Sequence, residues 1–188
     1  MFHFVVAIPC LIVILRYLVP LKWPLWFKGL LSVALLLVAQ HHWLTLMAFG
    51  SMFSPEVPRA IVLIVNWIFG TMLFLAVFQL VVDAIALMLM AVKRRRVAIP
   101  SSLRYSMGAL ALGVAAFAVS QAARVPLVKD IEVTIQGLPS QFEGYEIVQL
   151  TDLHISRLFE APWVEAVVSQ ANALEPNLIV ITGDLIDG

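Results

Sequence analysis

Two apolar runs in the second half of the chain each end on side chains that can bind a metal ion. Residues 147–151 are followed by Asp152 and His154, and residues 178–182 are followed, after one glycine, by Asp184. Aliphatic runs of this length predict strands, and the stretch between them suits one crossover helix. In open α/β folds, ligands bind at the edge formed by the carboxyl ends of parallel strands. We therefore expect the three side chains at a common edge.

The residue types at this edge favour a divalent cation. On a regular strand, side chains two positions apart lie on the same face, so Asp152 and His154 are expected to share one. A carboxylate and an imidazole held close together can bind zinc or a similar transition metal. Gly183 allows a sharp turn that brings Asp184 to the same ion, or to a second ion that it bridges. In the alternative interpretation Asp152 and Asp184 only cap loops, which the pairing of two such motifs disfavours.

The neighbouring residues predict the elements that position this edge. The first strand is expected over residues 145–151, and the helix over residues 162–174 begins with a proline, which suits a first turn. The strand over residues 178–182 lacks polar alternation, as expected for a central parallel strand that is covered on both faces. Upstream, residues 128–136 alternate polar and apolar side chains and predict a half-buried strand.

The composition separates the chain into two parts with different solvents. The chain is 62% hydrophobic and 13% charged, with a mean hydropathy of +0.97, unlike a soluble domain. Residues 1–123 carry nine Lys or Arg and two acids, whereas residues 124–188 carry three Lys or Arg and ten acids. We predict a transmembrane helical domain over 1–123 and an aqueous domain over 124–188. The acidic balance of the second argues against a nucleic-acid partner, which needs a basic surface.

Four apolar segments are candidates for membrane spans, because a spanning helix needs about 20 apolar residues. We expect four spans, at about residues 4–19, 29–49, 59–92 and 103–123. Eight of the twelve Lys and Arg residues fall in the loops on one side of these spans, and the positive-inside rule assigns that side to the cytoplasm. The chain is then expected in a bacterial plasma membrane, with its C-terminal part periplasmic or extracellular.

Polar groups inside apolar spans are costly, so they indicate a role. Gln40, His41 and His42 fall in the second span, and Asp83 falls late in the third. We expect interhelical hydrogen bonds or an interfacial position for the first three and an ion pair with a basic residue for Asp83. The alternative is contact with a lipid substrate or a cofactor. Small residues four apart in the fourth span, within 109–122, allow packing inside the chain and, as a second use, self-association.

The two motifs resemble a known family. Thr-Asp-Leu-His at 151–154 and Thr-Gly-Asp-Leu-Ile-Asp at 182–187 are similar to the first two blocks of calcineurin-like metallophosphoesterases. The spans and the lead-in to the first motif resemble the bacterial branch with a transmembrane anchor. The resemblance implies the first β–α–β portion of an α/β sandwich with two divalent metals, such as manganese, iron or zinc. It also implies that Asp152 and His154 bind the first metal and that Asp184 bridges both.

The same resemblance implies a membrane-anchored hydrolase. Its substrate would be a phosphorylated small molecule or lipid, cleaved at a phosphoester or at a pyrophosphate that is lipid-linked in one branch. The family's later blocks do not occur in these 188 residues. They would supply the remaining ligands and the acid-assisting histidine, so we assign no such residue and expect this chain to be inactive. The alternative function is a non-catalytic membrane scaffold, or partner-binding protein, with a vestigial phosphoesterase segment.

Two further residues are weaker candidates. Asp187 could orient a metal ligand through a hydrogen bond, although a role in a turn or a cap is the preferred interpretation. Arg157 could meet a substrate phosphate, although a solvated loop arginine is the preferred interpretation.

Overall fold

The computed structural model describes residues 2–187, with side chains from residue 4 onward. The chain divides into two compact units, Met1–Ala122 and Ala123–Gly188. The N-terminal unit is helical. Its elements are α1 (Phe2–Ile12), a π-helical turn that continues it (Val13–Leu18), α2 (Leu25–Ala39), α3 (His41–Phe49), α4 (Arg59–Lys93) and α5 (Ser101–Ala122). Pro24, Pro58 and Pro100 directly precede α2, α4 and α5, where the lack of an amide hydrogen costs no helical hydrogen bond.

The expectation of four membrane spans is wrong. Within the described residues, α4 with 35 residues and α5 with 22 are long and apolar enough to cross a bilayer. The pair α2 and α3 is bent by 58° around Gln40, and it adds a third span only if the bent pair crosses as one. The first segment forms the shorter helix Phe4–Leu18. At 1.5 Å per residue it extends about 22 Å, less than the roughly 30 Å of hydrocarbon in a bilayer.

The core of the N-terminal unit forms around the π-helical turn. Val13 and Tyr17 are buried together with Met72 of α4 and Ala111 of α5. Gly108 permits this packing, because a Cβ at that position would collide with the Tyr17 hydroxyl. Large aliphatic and aromatic side chains cover the outer faces of the long helices and remain exposed, as expected of helices whose solvent is lipid.

The polar groups of the N-terminal unit follow the expectation only in part. Asp83 forms the expected ion pair, and its partner is Arg16, with Nε 2.9 Å from Oδ2. His41 instead makes a local bond, because its ring Nδ1–H donates to the carbonyl oxygen of Val38 at 2.7 Å. The rings of His41 and His42 lie 3.8 Å apart and both contact Phe69 of α4 edge-on. Their contact with α4 is therefore aromatic packing.

The C-terminal unit contains the predicted β–α–β arrangement. A short 3₁₀ turn (Ser140–Phe142) precedes β1 (Ile147–Thr151), α6 (Ala161–Asn172) and β2 (Leu178–Thr182). The strands pair in parallel, from Ile147 with Leu178 to Thr151 with Thr182. Asn177 joins the starts of the two strands through two hydrogen bonds with Glu146. The side-chain oxygen of Asn177 accepts from the backbone amide of Glu146 at 2.8 Å, and the backbone amide of Asn177 donates to the carbonyl oxygen of Glu146 at 2.9 Å.

Two expectations for this unit are wrong. Residues 128–136 form no strand, and Ile131 and Val133 are each 70% exposed. Residues 128–135 instead contribute to the lining of a groove of about 1990 Å³, together with residues of β1 and α6. Alternation alone does not make a strand: within the described residues the sheet consists of β1 and β2, and residues 128–136 pair with neither. Residues of β2 such as Ile181, 56% exposed, are not covered on both faces by the described elements.

Candidate metal centre

The backbones of the two motifs continue side by side beyond the strands. The amide of Asp152 donates to the carbonyl oxygen of Thr182 at 3.1 Å, and the amide of His154 donates to that of Asp184 at 3.1 Å. A further parallel bridge pairs Ile155 with Ile186. The parallel register therefore carries the Asp152–His154 segment and Asp184 to the same edge of the sheet.

The residues at this edge are not in strand conformation. β1 ends at Thr151, and the next motif residues Asp152 and His154 adopt left-handed backbone conformations, with φ of 52° and 48°. Asp and His tolerate this region better than most residues, yet it still costs on the order of 1 kcal/mol at each position. The expected sharing of one strand face therefore does not apply. The edge is built from two turns, and strained backbone of this kind clusters at functional sites.

The Asp152 carboxylate is held by two donors. The Thr151 hydroxyl donates to Oδ2 at 2.7 Å, and the amide of Asp184 donates to Oδ1 at 3.3 Å. Both bonds stabilise the charged form, so the Thr151 hydroxyl and then the Asp184 amide lower the pKa of the Asp152 carboxyl below its ordinary value. Gly183 leaves room for this carboxylate, because a Cβ there would collide with it, and its φ of 71° suits glycine.

His154 pairs with Asp187. The ring Nδ1 lies 2.6 Å from Oδ1 of Asp187, and this hydrogen bond raises the pKa of His154 above its ordinary value. A carboxylate acceptor places the proton of the neutral ring on Nδ1, which leaves the lone pair of Nε2 for a metal ion. An orienting role for Asp187 requires a hydrogen bond to a metal ligand, and the contact with His154 is such a bond.

The donor types at the edge fit a divalent cation. They are two carboxylates, Asp152 and Asp184, and the Nε2 atom of His154. Asp184 reaches Asp152 through its backbone, while its side chain is exposed. No three His, Cys, Asp or Glu side chains of the described residues are grouped closely enough to hold an ion. Arg157 lies exposed on the loop between β1 and α6. The sequence reasoning missed Thr151, although a hydroxyl next to the first aspartate is visible in the motif.

The groove borders the candidate metal-binding edge. Its lining includes Thr151 and Leu153 but does not include Asp152, His154, Asp184 or Asp187. The candidate metal ligands therefore belong to the exposed end of the two-stranded sheet.

Comparison with known proteins gives relatives of one kind. A transmembrane protein with metallophosphoesterase domain from Danio rerio is 34% identical over 74 residues, 39% of this chain and 17% of the relative. The uncharacterized metallophosphoesterase YkuE of Bacillus subtilis is 38% identical over 63 residues, 32% of this chain and 22% of the relative. A transmembrane protein with metallophosphoesterase domain from Bos taurus is 36% identical over 66 residues, 35% of this chain and 15% of the relative.

These matches cover only part of each protein. The chain spans between 15% and 22% of the length of these curated relatives. No family model and no solved structure matches it. The resemblance that the two motifs predict is nevertheless confirmed: part of this chain is similar in sequence to metallophosphoesterases, including transmembrane ones.

Proposed function

We propose that this chain belongs to a membrane-anchored, metal-dependent phosphoesterase, and that Asp152, His154 and Asp184 bind its divalent cation. One observation carries most of the weight. The hydrogen-bonded register continues past β1 and β2 and sets the backbone of Asp152 and His154 against that of Asp184. Two acidic ligands and one imidazole at one sheet edge are the donor set that such a cation needs.

The neighbouring residues prepare the ligands for binding. Thr151 and the Asp184 amide fix the Asp152 carboxylate, and Asp187 fixes the ring of His154. Ligands that are already oriented lose less conformational entropy when an ion binds. The bound cation would offset the charge of a phosphoryl group and hold it for attack. Asp184 would bridge to a second cation, as the resemblance implies.

The anchor favours a substrate at a membrane. The long apolar helices α4 and α5 and the two transmembrane relatives support insertion in a bilayer. Lys93 is the last residue of α4, and residues 94–96, which follow it, are all basic. We place this end of α4 and the loop after it in the cytoplasm of a bacterium. Ala123–Gly188 then acts in the periplasm or outside the cell. A lipid-linked phosphoester or pyrophosphate suits this arrangement.

Metal binding tests the proposal directly. Residues 1–188 are purified in a neutral detergent and titrated with Mn²⁺ by calorimetry. We expect saturable binding that weakens more than about 100-fold in Asp152→Asn, because loss of a ligand exceeds the 10- to 100-fold loss on removing an outer partner. Glu165→Gln is the matched control, since Glu165 is an exposed carboxylate on α6. An absence of Mn²⁺ binding, or equal weakening in the control, would favour the scaffold function instead.

An activity assay of the same preparation separates binding from turnover. The three proposed ligands are too few for a two-metal clamp. We therefore expect the 188-residue chain to hydrolyse an aryl phosphodiester well below about 1 per second, an ordinary enzyme rate. Turnover above that rate that disappears in Asp184→Asn would show that these ligands suffice.

A further inference from the structure

A cluster of polar side chains joins the π-helical turn, α4 and α5 inside the N-terminal unit. We name it the arginine cluster, and its members are Arg16, Gln79, Asp83 and Arg104. Arg16 donates to both oxygens of Asp83, from Nε at 2.9 Å and from Nη2 at 3.1 Å. Gln79 donates to Oδ1 of Asp83 at 2.8 Å. Arg104 donates from Nη1 to the carbonyl oxygen of Arg16 at 2.7 Å and to Oε1 of Gln79 at 3.4 Å.

The charges of the arginine cluster do not balance. It holds two guanidinium groups and one carboxylate, and Arg16 and Gln79 already occupy that carboxylate. Arg104 is only 8% exposed, and both acceptors of its hydrogen bonds are neutral oxygens. Among residues 2–187 no carboxylate lies within ion-pair distance of it, and Asp83, which interacts with it from farther away, is already paired with Arg16. A largely buried cation that shares its nearest carboxylate with a second cation is costly, especially where the surroundings are lipid.

The depth of the cluster is that of the lipid headgroups. Arg104 is in the first turn of α5, whose 22 residues extend about 33 Å, close to the thickness of the hydrocarbon. The first turn therefore lies near one surface of the bilayer. The side chain of Arg16 is 62% exposed, so the cluster reaches the surface of the protein.

The remaining donors of Arg104 suit a phosphate group. Its Nε and Nη2 atoms donate to no acceptor within the described part of the chain, and the planar fork of a guanidinium matches two phosphate oxygens. Its backbone is fixed as well, because the Tyr17 hydroxyl donates to the carbonyl oxygen of Arg104 at 3.0 Å.

We propose that the arginine cluster binds the phosphate group of an anionic lipid headgroup. Arg104 makes the direct contact, and Arg16 adds charge at the opening. Asp83 holds Arg16 in place and limits the net charge of the cluster to one positive, which matches the single negative charge of a phosphodiester lipid. The bound lipid would neutralise Arg104 and fix the helices around it.

Lipid titrations of the purified full chain test this site. The 188-residue protein in neutral detergent is titrated with short-chain phosphatidylglycerol, with phosphatidylcholine of the same chain length, and with inorganic phosphate, and binding is followed by thermophoresis. We expect a preference for phosphatidylglycerol. Arg104→Gln should weaken its binding about fivefold or more, the contribution of one basic residue at a charged membrane surface. Arg95→Gln, which removes an exposed charge from the adjoining loop, should weaken it less than twofold.

A second variant covers the case in which Arg104→Gln fails to fold. Asp83→Asn removes the competing carboxylate, so we expect it to bind phosphatidylglycerol more tightly than the unmodified chain. A purely structural ion pair predicts no such gain, and unchanged or weaker binding by folded Asp83→Asn would overturn the proposal. So would equal losses in Arg104→Gln and Arg95→Gln, or an unmodified chain without preference between the two lipids. Inorganic phosphate that binds as tightly as phosphatidylglycerol would show a free-phosphate site instead of a lipid site.

Discussion

At the residue scale, the position of the Asp152 carboxylate depends on Gly183. The glycine has a φ of 71°, and a Cβ would collide with that carboxylate. We predict that Gly183→Ala destabilises the C-terminal unit by about 1–2 kcal/mol through the left-handed backbone and also weakens Mn²⁺ binding by about tenfold or more. Chemical unfolding and calorimetric titration measure the two effects.

Gly144 provides a matched control for this prediction. It has nearly the same φ, 72°, but a Cβ there would meet nothing within 4 Å. Gly144→Ala should therefore show the same loss of stability and unchanged Mn²⁺ binding. If both variants lost Mn²⁺ affinity equally, the contact between Gly183 and Asp152 would have no part in binding.

Asp187 and Asp184 should differ in their importance for the metal. Asp187 contacts the metal candidate His154 at 2.6 Å and acts through it, whereas Asp184 is a proposed ligand. We predict that Asp187→Asn weakens Mn²⁺ binding about 10- to 100-fold and that Asp184→Asn weakens it further. Titration of both variants, with Glu165→Gln as the control, decides the order. A greater loss of Mn²⁺ affinity in Asp187→Asn than in Asp184→Asn would indicate that Asp187 is the metal ligand.

Residue types predicted the candidate ligands, but their conformation and partners could not be predicted. Asp152, His154 and Asp184 are recognisable because each follows an aliphatic run. The left-handed backbone at Asp152 and His154 has no local signal such as glycine. The bond between His154 and Asp187 joins residues 33 positions apart, and it depends on the register of β1 with β2.

At the element scale, α5 packs closely on the π-helical turn through Gly108. A Cβ there would collide with the hydroxyl of Tyr17, a buried side chain. We predict that Gly108→Ala lowers the thermal unfolding midpoint of the detergent-solubilised protein, because overpacking costs about 1–3 kcal/mol. Gly113→Ala on the same helix is the control. A Cβ at Gly113 would meet nothing within 4 Å, so the unfolding midpoint of Gly113→Ala should stay unchanged or rise. An equal fall of the midpoint in both variants would contradict the close packing of Gly108 on Tyr17.

The elements themselves were predicted with mixed success, for physical reasons. β1 and β2 form where their patterns indicate because they complete each other's backbone hydrogen bonds, and α6 forms over most of the predicted helical stretch. The alternation over residues 128–136 is equally regular, yet these residues pair with neither β1 nor β2. The ion pair of Asp83 was predictable from the cost of a lone carboxylate in an apolar helix. Its partner Arg16 lies 67 positions away and was not.

At the scale of the whole molecule, the topology depends mainly on the last two long helices. Lys93, the last residue of α4, and the basic residues 94–96 directly after it precede α5, so the number of earlier spans does not change the side on which Ala123–Gly188 lies. We predict that a reporter active only outside the cytoplasm gives signal when fused after Gly188. A cytoplasmic reporter at the same position should be silent. The reverse pattern would show that the positive-inside rule assigns this chain wrongly.

Hydropathy alone overestimated the number of spans because it ignores helix length and bends. The segment Phe4–Leu18 is largely apolar but short, and the second segment is interrupted around Gln40, where α2 ends and the chain bends by 58°. The long helices α4 and α5 were predictable because length and composition agree there.

The central claim is that His154 and the two aspartates bind a divalent cation at the sheet edge. Pulsed electron paramagnetic resonance of Mn²⁺ bound to the purified chain tests it most directly, because it detects coupling to a coordinated imidazole nitrogen. His154 is the one histidine in residues 123–188. We predict a nitrogen coupling in the unmodified chain that disappears in His154→Gln and persists in Glu165→Gln. Bound Mn²⁺ without nitrogen coupling, or coupling that survives in His154→Gln, would contradict the account.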